Sequence, residues 1–162
     1  MNHATPFDVE GVTWQQVSAK LIPVRQIATA IFLGLPFLAA AAVAIFTHAV
    51  VWVAPGVLGL LLVWVLWLVP RQVRAIGYAE MEDELLIRKG VLFRSLVVVP
   101  YGRMQYVDVA AGPIARSMGI AQVQLHTASA QSDASIPGLP EAEATRLRDQ
   151  LSARGEAKLA GL

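Results

Sequence analysis

Between residues 26 and 70 the chain carries no Asp, Glu, Lys or Arg. Drawn as one helix rising ~1.5 Å per residue, this tract is roughly 67 Å long, about twice a ~30 Å hydrocarbon core, so it must fold back on itself. Two spans fit: residues 27–46, IATAIFLGLPFLAAAAVAIF, and residues 50–69, VVWVAPGVLGLLLVWVLWLV. Only Thr47, His48 and Ala49 lie between them, so His48 is expected at an interfacial or solvated turn. Pro36 removes a backbone donor inside the first span and is expected to kink it, which neighbouring helices make tolerable in a bilayer. Trp52, Trp64 and Trp67 suit aromatic belts at the two interfaces.

Beyond Pro70 the helical runs give way to short strands separated by turn residues. RAIGYAEME from Arg74, LLIRKG from Leu85, VLFRSLVVVP from Val91, RMQYVDVA from Arg103 and AQVQLHTA from Ala121 are the clear strand candidates, and ASIPG from Ala134 is a weaker one. No connection is long enough for a crossover helix, so antiparallel pairing is predicted. After GLP, Pro140 suits a first helical turn, Glu141 and Glu143 suit the positive helix end, and Ala144, Leu147 and Leu151 make an apolar stripe. Before the first span, Val12, Trp14, Val17, Leu21 and Ile22 recur at roughly helical spacing. That stretch is either a short amphipathic helix on the inner leaflet or a loop, with Pro23 ending it before Arg25.

Composition agrees with the membrane reading, at 56% hydrophobic residues and a mean hydropathy of +0.54. Lys20 and Arg25 precede the first span and Arg71 and Arg74 follow the second, so both flanks are expected in the cytoplasm. A cleaved signal peptide is the competing reading of the first span, but that span is long and a second follows at once. The absence of cysteine excludes a disulfide framework and a thiolate metal site. Thirteen basic against twelve acidic residues leave no surplus for nucleic acid. The segments expected are therefore 1–26 at the cytoplasmic N-terminal side, a transmembrane hairpin over 27–70, and a cytoplasmic α+β domain over 71–162.

Two spans followed by IRKGVLFRSLVVVPYGRMQYVDVAAGPIARSMGIAQVQLHTA, then IPGL and a helix, resemble the YdbS-like bacterial membrane proteins that carry a pleckstrin-homology-like domain. The run GVLFR through VPYGRMQYVDVAAGP is the most specific part. The resemblance implies an antiparallel β-barrel or sandwich closed by a C-terminal amphipathic helix, a membrane-protein partner, and no established reaction.

Catalytic chemistry finds little to work with. His126, Ser129 and Asp133 supply the side-chain types of a triad, but nothing in their spacing fixes the geometry. GPIARSMG lacks the lysine and helix of a phosphate-cradling loop and reads as a compact strand connection. Glu80, Glu82, Asp83 and Glu84 read as a charged hairpin turn rather than a divalent-cation site. No enzyme, cofactor, metal or small-molecule substrate is expected. The function expected first is a non-catalytic assembly or scaffold module in a homo- or hetero-oligomeric membrane complex, with SLVVVPY as a candidate edge strand. The alternative is a sensor of anionic lipid headgroups, in which Arg88, Lys89 and Arg94 flank Gly90 in a basic hairpin with Arg71 and Arg74 nearby. Arg103 and Arg116 are candidates for an interface or for structuring a loop, Arg116 by donating to unpaired carbonyls.

Overall fold

The computed structural model describes residues 11–47, 49–128 and 133–161. His48 and Ser129 lie outside the described residues. The chain divides into two compact units: residues 22–71, and a second unit made of residues up to Leu21 together with those from Gln72 onward.

The first unit holds α1 (Leu21–Ile45), a 3-10 turn (Ala49–Trp52) and most of α2 (Val53–Arg74). Both helices are long and apolar enough to cross a membrane. α1 runs through Pro36 without a break. The helices approach closely at Gly59, where a Cβ would stand 3.2 Å from the Phe37 ring. Trp52, Trp64 and Trp67 point outward, as lipid-facing or interfacial residues do. Both helices depart from the expected limits. Pro23 lies in the first turn of α1, where its missing N–H costs nothing, so it starts the helix instead of ending one. α2 continues past Pro70 to Arg74, because charge marks where hydrocarbon ends and not where a helix must.

The second unit is two antiparallel sheets closed by a helix. One sheet has the order β1-β2-β3-β4 and the other β5-β6-β7. The strands are β1 (Gln15–Gln16), β2 (Gly77–Glu80), β3 (Glu84–Lys89), β4 (Ser95–Pro100), β5 (Met104–Ala110), β6 (Ile120–Thr127) and β7 (Ala134–Pro140). A 3-10 turn over Tyr101–Arg103 takes the chain from one sheet to the other, and α3 (Pro113–Ser117) links β5 to β6. The second sheet follows the sequence pattern closely, with β6 burying Ile120, Val123 and Leu125 while Gln122, Gln124 and His126 stay half-exposed.

Two expectations need correction. The stretch around Trp14 is neither an amphipathic helix nor a free loop: Gln15 and Gln16 pair with Tyr78 and Gly77, and the Ser18 N–H reaches the Gly138 carbonyl at 2.9 Å. The segment therefore belongs to the sheet unit and joins the two sheets. GPIARSMG is the compact strand connection expected, but it contains the helix that reading denied it, Pro113–Ser117, started by Pro113.

α4 (Glu141–Leu159) turns its predicted stripe inward: Ala144, Leu147 and Leu151 are fully buried, as are Tyr78, Leu85, Ile87, Leu125 and Ile136 of the sheets. Each buried leucine contributes about 1.5–3 kcal/mol of transfer free energy. Polar links fasten the helix to the β2–β3 hairpin along its length. Arg146 pairs with Glu80 at 2.7 Å, Arg154 donates to the Met81 carbonyl at 2.9 Å, and Lys158 pairs with Asp83 at 2.7 Å. The acidic turn is thus occupied with holding α4. Among the described residues no group of three or more His, Asp or Glu side chains is placed to hold a metal ion.

Candidate functional site

The β3–β4 hairpin is built by its register. Lys89 faces Ser95 and Arg88 faces Leu96, which leaves residues 90–94 to turn the chain. The turn is tight enough to require glycine: Gly90 has φ +95°, and a Cβ there would stand 1.8 Å from the Phe93 carbonyl oxygen. The fold brings all three predicted cations to this turn. A cavity of about 270 Å³ is lined by Arg88, Lys89, Gly90, Val91 and Arg94 of the hairpin together with Ala75 and Ser95.

Two of the cations are positioned by partners. The Arg88 guanidinium lies 4.6 Å from the centre of the Trp14 ring, a cation–π distance, and Gly77 beneath it leaves space that a Cβ would narrow to 3.4 Å. Lys89 donates from Nζ to the Ser135 hydroxyl at 3.3 Å, which ties the hairpin to β7. Arg94 is exposed on the descending side of the turn. Arg71 stacks on Trp67 within its own helix, 3.5 Å from the ring centre.

Sequence reasoning passed over the tip itself. Phe93 is 91% exposed and Leu92 69% exposed, with Val91 partly so. An apolar pair at the end of a water-facing hairpin is costly unless something covers it, and here cations flank it on both sides. The signal was present in GVLFR, where VLF breaks the alternation of the neighbouring strands.

The remaining candidates lie elsewhere in the domain. Arg103 is an exposed residue of the turn between the sheets, where its carbonyl accepts from the Ala128 N–H at 3.4 Å. Arg116 is exposed in α3, and its side chain has no hydrogen-bond or ion-pair partner among the described residues. The loop-structuring role expected for that guanidinium falls to the backbone, through Arg116 N–H to the Gly112 carbonyl at 2.8 Å and Gly119 N–H to the Arg116 carbonyl at 3.0 Å. Ser117 adds a bond to the Ile114 carbonyl.

His126 is more ordered than its spacing suggested. Its ring stacks on Tyr106 with centroids 4.4 Å apart, and Nδ1 lies 3.1 Å from Asp133, whose other oxygen accepts from the Thr127 N–H at 2.9 Å. That backbone bond is the main reason the Asp133 carboxyl is held below its ordinary value, with the imidazole helping. The pair orients the imidazole on the half-exposed face of β6, where it lines a cavity with Gln122, Gln124, Lys89 and Val97.

The family model described as bacterial PH domain matches residues 15–155. Over 122 residues the chain is 34% identical to the UPF0699 transmembrane protein YdbS of Bacillus subtilis (strain 168), an alignment that covers 71% of this chain and 74% of that protein. No solved structure gives a significant match.

Proposed function

The chain belongs to the bacterial PH domain family and is a transmembrane protein, and from that premise we propose that it is a non-catalytic module of the cell membrane whose PH-like domain docks on anionic lipid through the β3–β4 hairpin. Both flanks of the membrane hairpin face the cytoplasm in this reading, as the placement of cations around an uncharged turn favours. The observation that carries it is the combination at one turn of a three-cation cavity with an exposed Leu92–Phe93 tip.

The energies suit a device that orients the domain. Each cation is worth about 1 kcal/mol toward an anionic surface, and an aromatic side chain moved out of water adds ~1–3 kcal/mol. Three cations and one ring together give about 4–6 kcal/mol, a free dissociation constant of about 0.04–1 mM, which is weak for recruiting a soluble domain. Only Ala75 and Ile76 separate α2 from β2, so the domain is tethered to the bilayer. The second contact is then intramolecular, with an effective concentration of about millimolar, which makes a weak interaction sufficient. Lipid composition would thereby set how the domain is held instead of whether it is attached. Assembly with another membrane protein or with a second copy remains the second reading, supported by the open outer edge of β4.

The chain has no cysteine, so Phe93→Cys carries an environment-sensitive dye at a single site. In nanodiscs, emission should shift to the blue with phosphatidylglycerol relative to phosphatidylcholine alone. The shift should vanish near 0.5 M salt, where the Debye length falls to a few Å, and in Arg88→Ala with Arg94→Ala. Identical emission in both lipids would remove the proposal.

A further inference from the structure

The strand edges of this domain are guarded unequally. β1 is only two residues long, β5 carries Asp108 and an irregular register between Met104 and Tyr106, and β7 contains Pro137 and receives the Ser18 N–H at Gly138. Short strands, charges, bulges and prolines are the devices that keep sheet edges from pairing with other chains. β4 has none of them before its terminal Pro100: Ser95 to Val99 reads SLVVV, and Val98 is 44% exposed. Its outer side has no neighbouring strand among the described residues.

The direction of its free backbone groups follows from the register. Tyr101 N–H donates to the Asp83 carbonyl at 3.1 Å, one step beyond the Glu84–Pro100 pair. Hydrogen-bonded pairs alternate in an antiparallel ladder, so Val99, Val97 and Ser95 bond to β3 while Leu96 and Val98 aim N–H and C=O outward.

We propose that this edge pairs antiparallel with β4 of a second copy of the chain, placing Leu96 of one copy opposite Val98 of the other. In that register both outward donors and both matching acceptors of each strand are used, which gives four reciprocal bonds about a two-fold axis at Val97. Sliding by two residues one way sets Pro100, with no N–H, opposite Leu96 and leaves a carbonyl unpaired. Sliding the other way brings Arg94 opposite Val98. An uncharged strand also meets its own copy without like-charge repulsion, whereas a foreign strand would have to match an edge that carries no charge to select it. The two four-stranded sheets join into one of eight strands. The lipid reading is not needed here, because residues 90–94 take no part in the pairing.

The absence of native cysteine makes the test direct. Full-length chains with Leu96→Cys and with Val98→Cys, differently tagged and co-expressed, should form a mixed disulfide when isolated native membranes are oxidised with copper phenanthroline, since directly paired residues lie within disulfide range. The yield should exceed at least tenfold that of Gln105→Cys with Val107→Cys on β5. Native mass spectrometry of the full chain should show a dimer that Val98→Lys reduces to monomer and that adding Leu96→Glu restores, because the two introduced charges face each other across the axis. Equal crosslinking at β4 and β5, adducts only with other polypeptides, or a monomeric unmodified chain would each overturn the proposal.

Discussion

The Phe93 carbonyl oxygen lies 1.8 Å from the point where a Cβ on Gly90 would stand, so the apolar tip and the glycine behind it are one structural unit. Gly90→Ala must both clear that oxygen and hold φ near +95°. The expected cost is about 1–3 kcal/mol of local strain, relieved by opening the turn. Hydrogen exchange of the full chain in nanodiscs should accordingly show faster exchange confined to residues 88–96. Unchanged exchange there would mean that the turn is looser than its geometry implies.

Reporter fusions test the membrane arrangement. The two spans, an uncharged turn and cations on both flanks predict cytoplasmic signals from fusions at residue 26 and after Leu162, and an external signal at His48. A periplasmic C-terminal reporter would exclude the two-span topology.

What the sequence made legible was whatever a periodic pattern controls. The charge-free run gave two spans, the alternation of AQVQLHTA gave β6, and the stripe of Ala144, Leu147 and Leu151 gave the buried face of α4. β1 was illegible because its two glutamines carry no hydrophobic signal; they are strand only because β2 offers an edge. β7 was faint because Pro137 and Gly138 interrupt it, and α3 is too short for helical periodicity. At the hairpin, the cations could be read by type and spacing, but the exposure of Phe93 could not, since an apolar residue in a strand-rich segment reads as core.

Acid should weaken the attachment of α4. The Glu143 carboxyl is held below its ordinary value, first by the Arg146 hydrogen bond and then by the Tyr78 hydroxyl, which donates to Glu143 at 2.9 Å. A depressed carboxyl contributes stability that is present above the unfolded value, about 4.3, and is lost as pH falls through the folded one. Because the Arg146 side chain is 44% exposed, the effect should be no more than about 1 kcal/mol. Burial, with the Glu143 bond second, pushes the Tyr78 phenol up, so its contribution is present below pH ~10 and fades above it. Thermal midpoints of the full chain in detergent should fall between pH 5 and 3, and Glu143→Gln should flatten that limb. An equally steep limb in the variant would assign the acid sensitivity to other carboxylates.

Two arginines exchange roles between the sequence pattern and the structure. GPIARSMG drew attention to Arg116 as the donor that shapes a loop, yet its side chain is exposed and partnerless among the described residues. Arg154, inconspicuous in a charged helix, donates from one nitrogen to both the Met81 carbonyl and the Tyr101 hydroxyl, each at 2.9 Å, and its guanidinium lies 5.2 Å from the Tyr101 ring centre. Tyr101 is fully buried and donates its own hydroxyl proton to Met81 at 3.0 Å. Tyrosine, arginine and carbonyl thus close a small network that locks the turn between the sheets to α4. Removing Arg154 takes one donor from each acceptor and should cost about 1–3 kcal/mol, while Arg116→Ala should stay within about 0.5 kcal/mol of the parent. Denaturation midpoints of the two full-length variants decide it. Tyr101→Phe combined with Arg154→Ala should cost less than the sum of the separate changes, because both report on the same bond. A destabilised Arg116→Ala beside an unaffected Arg154→Ala would return the structural role to the residue the sequence first picked out.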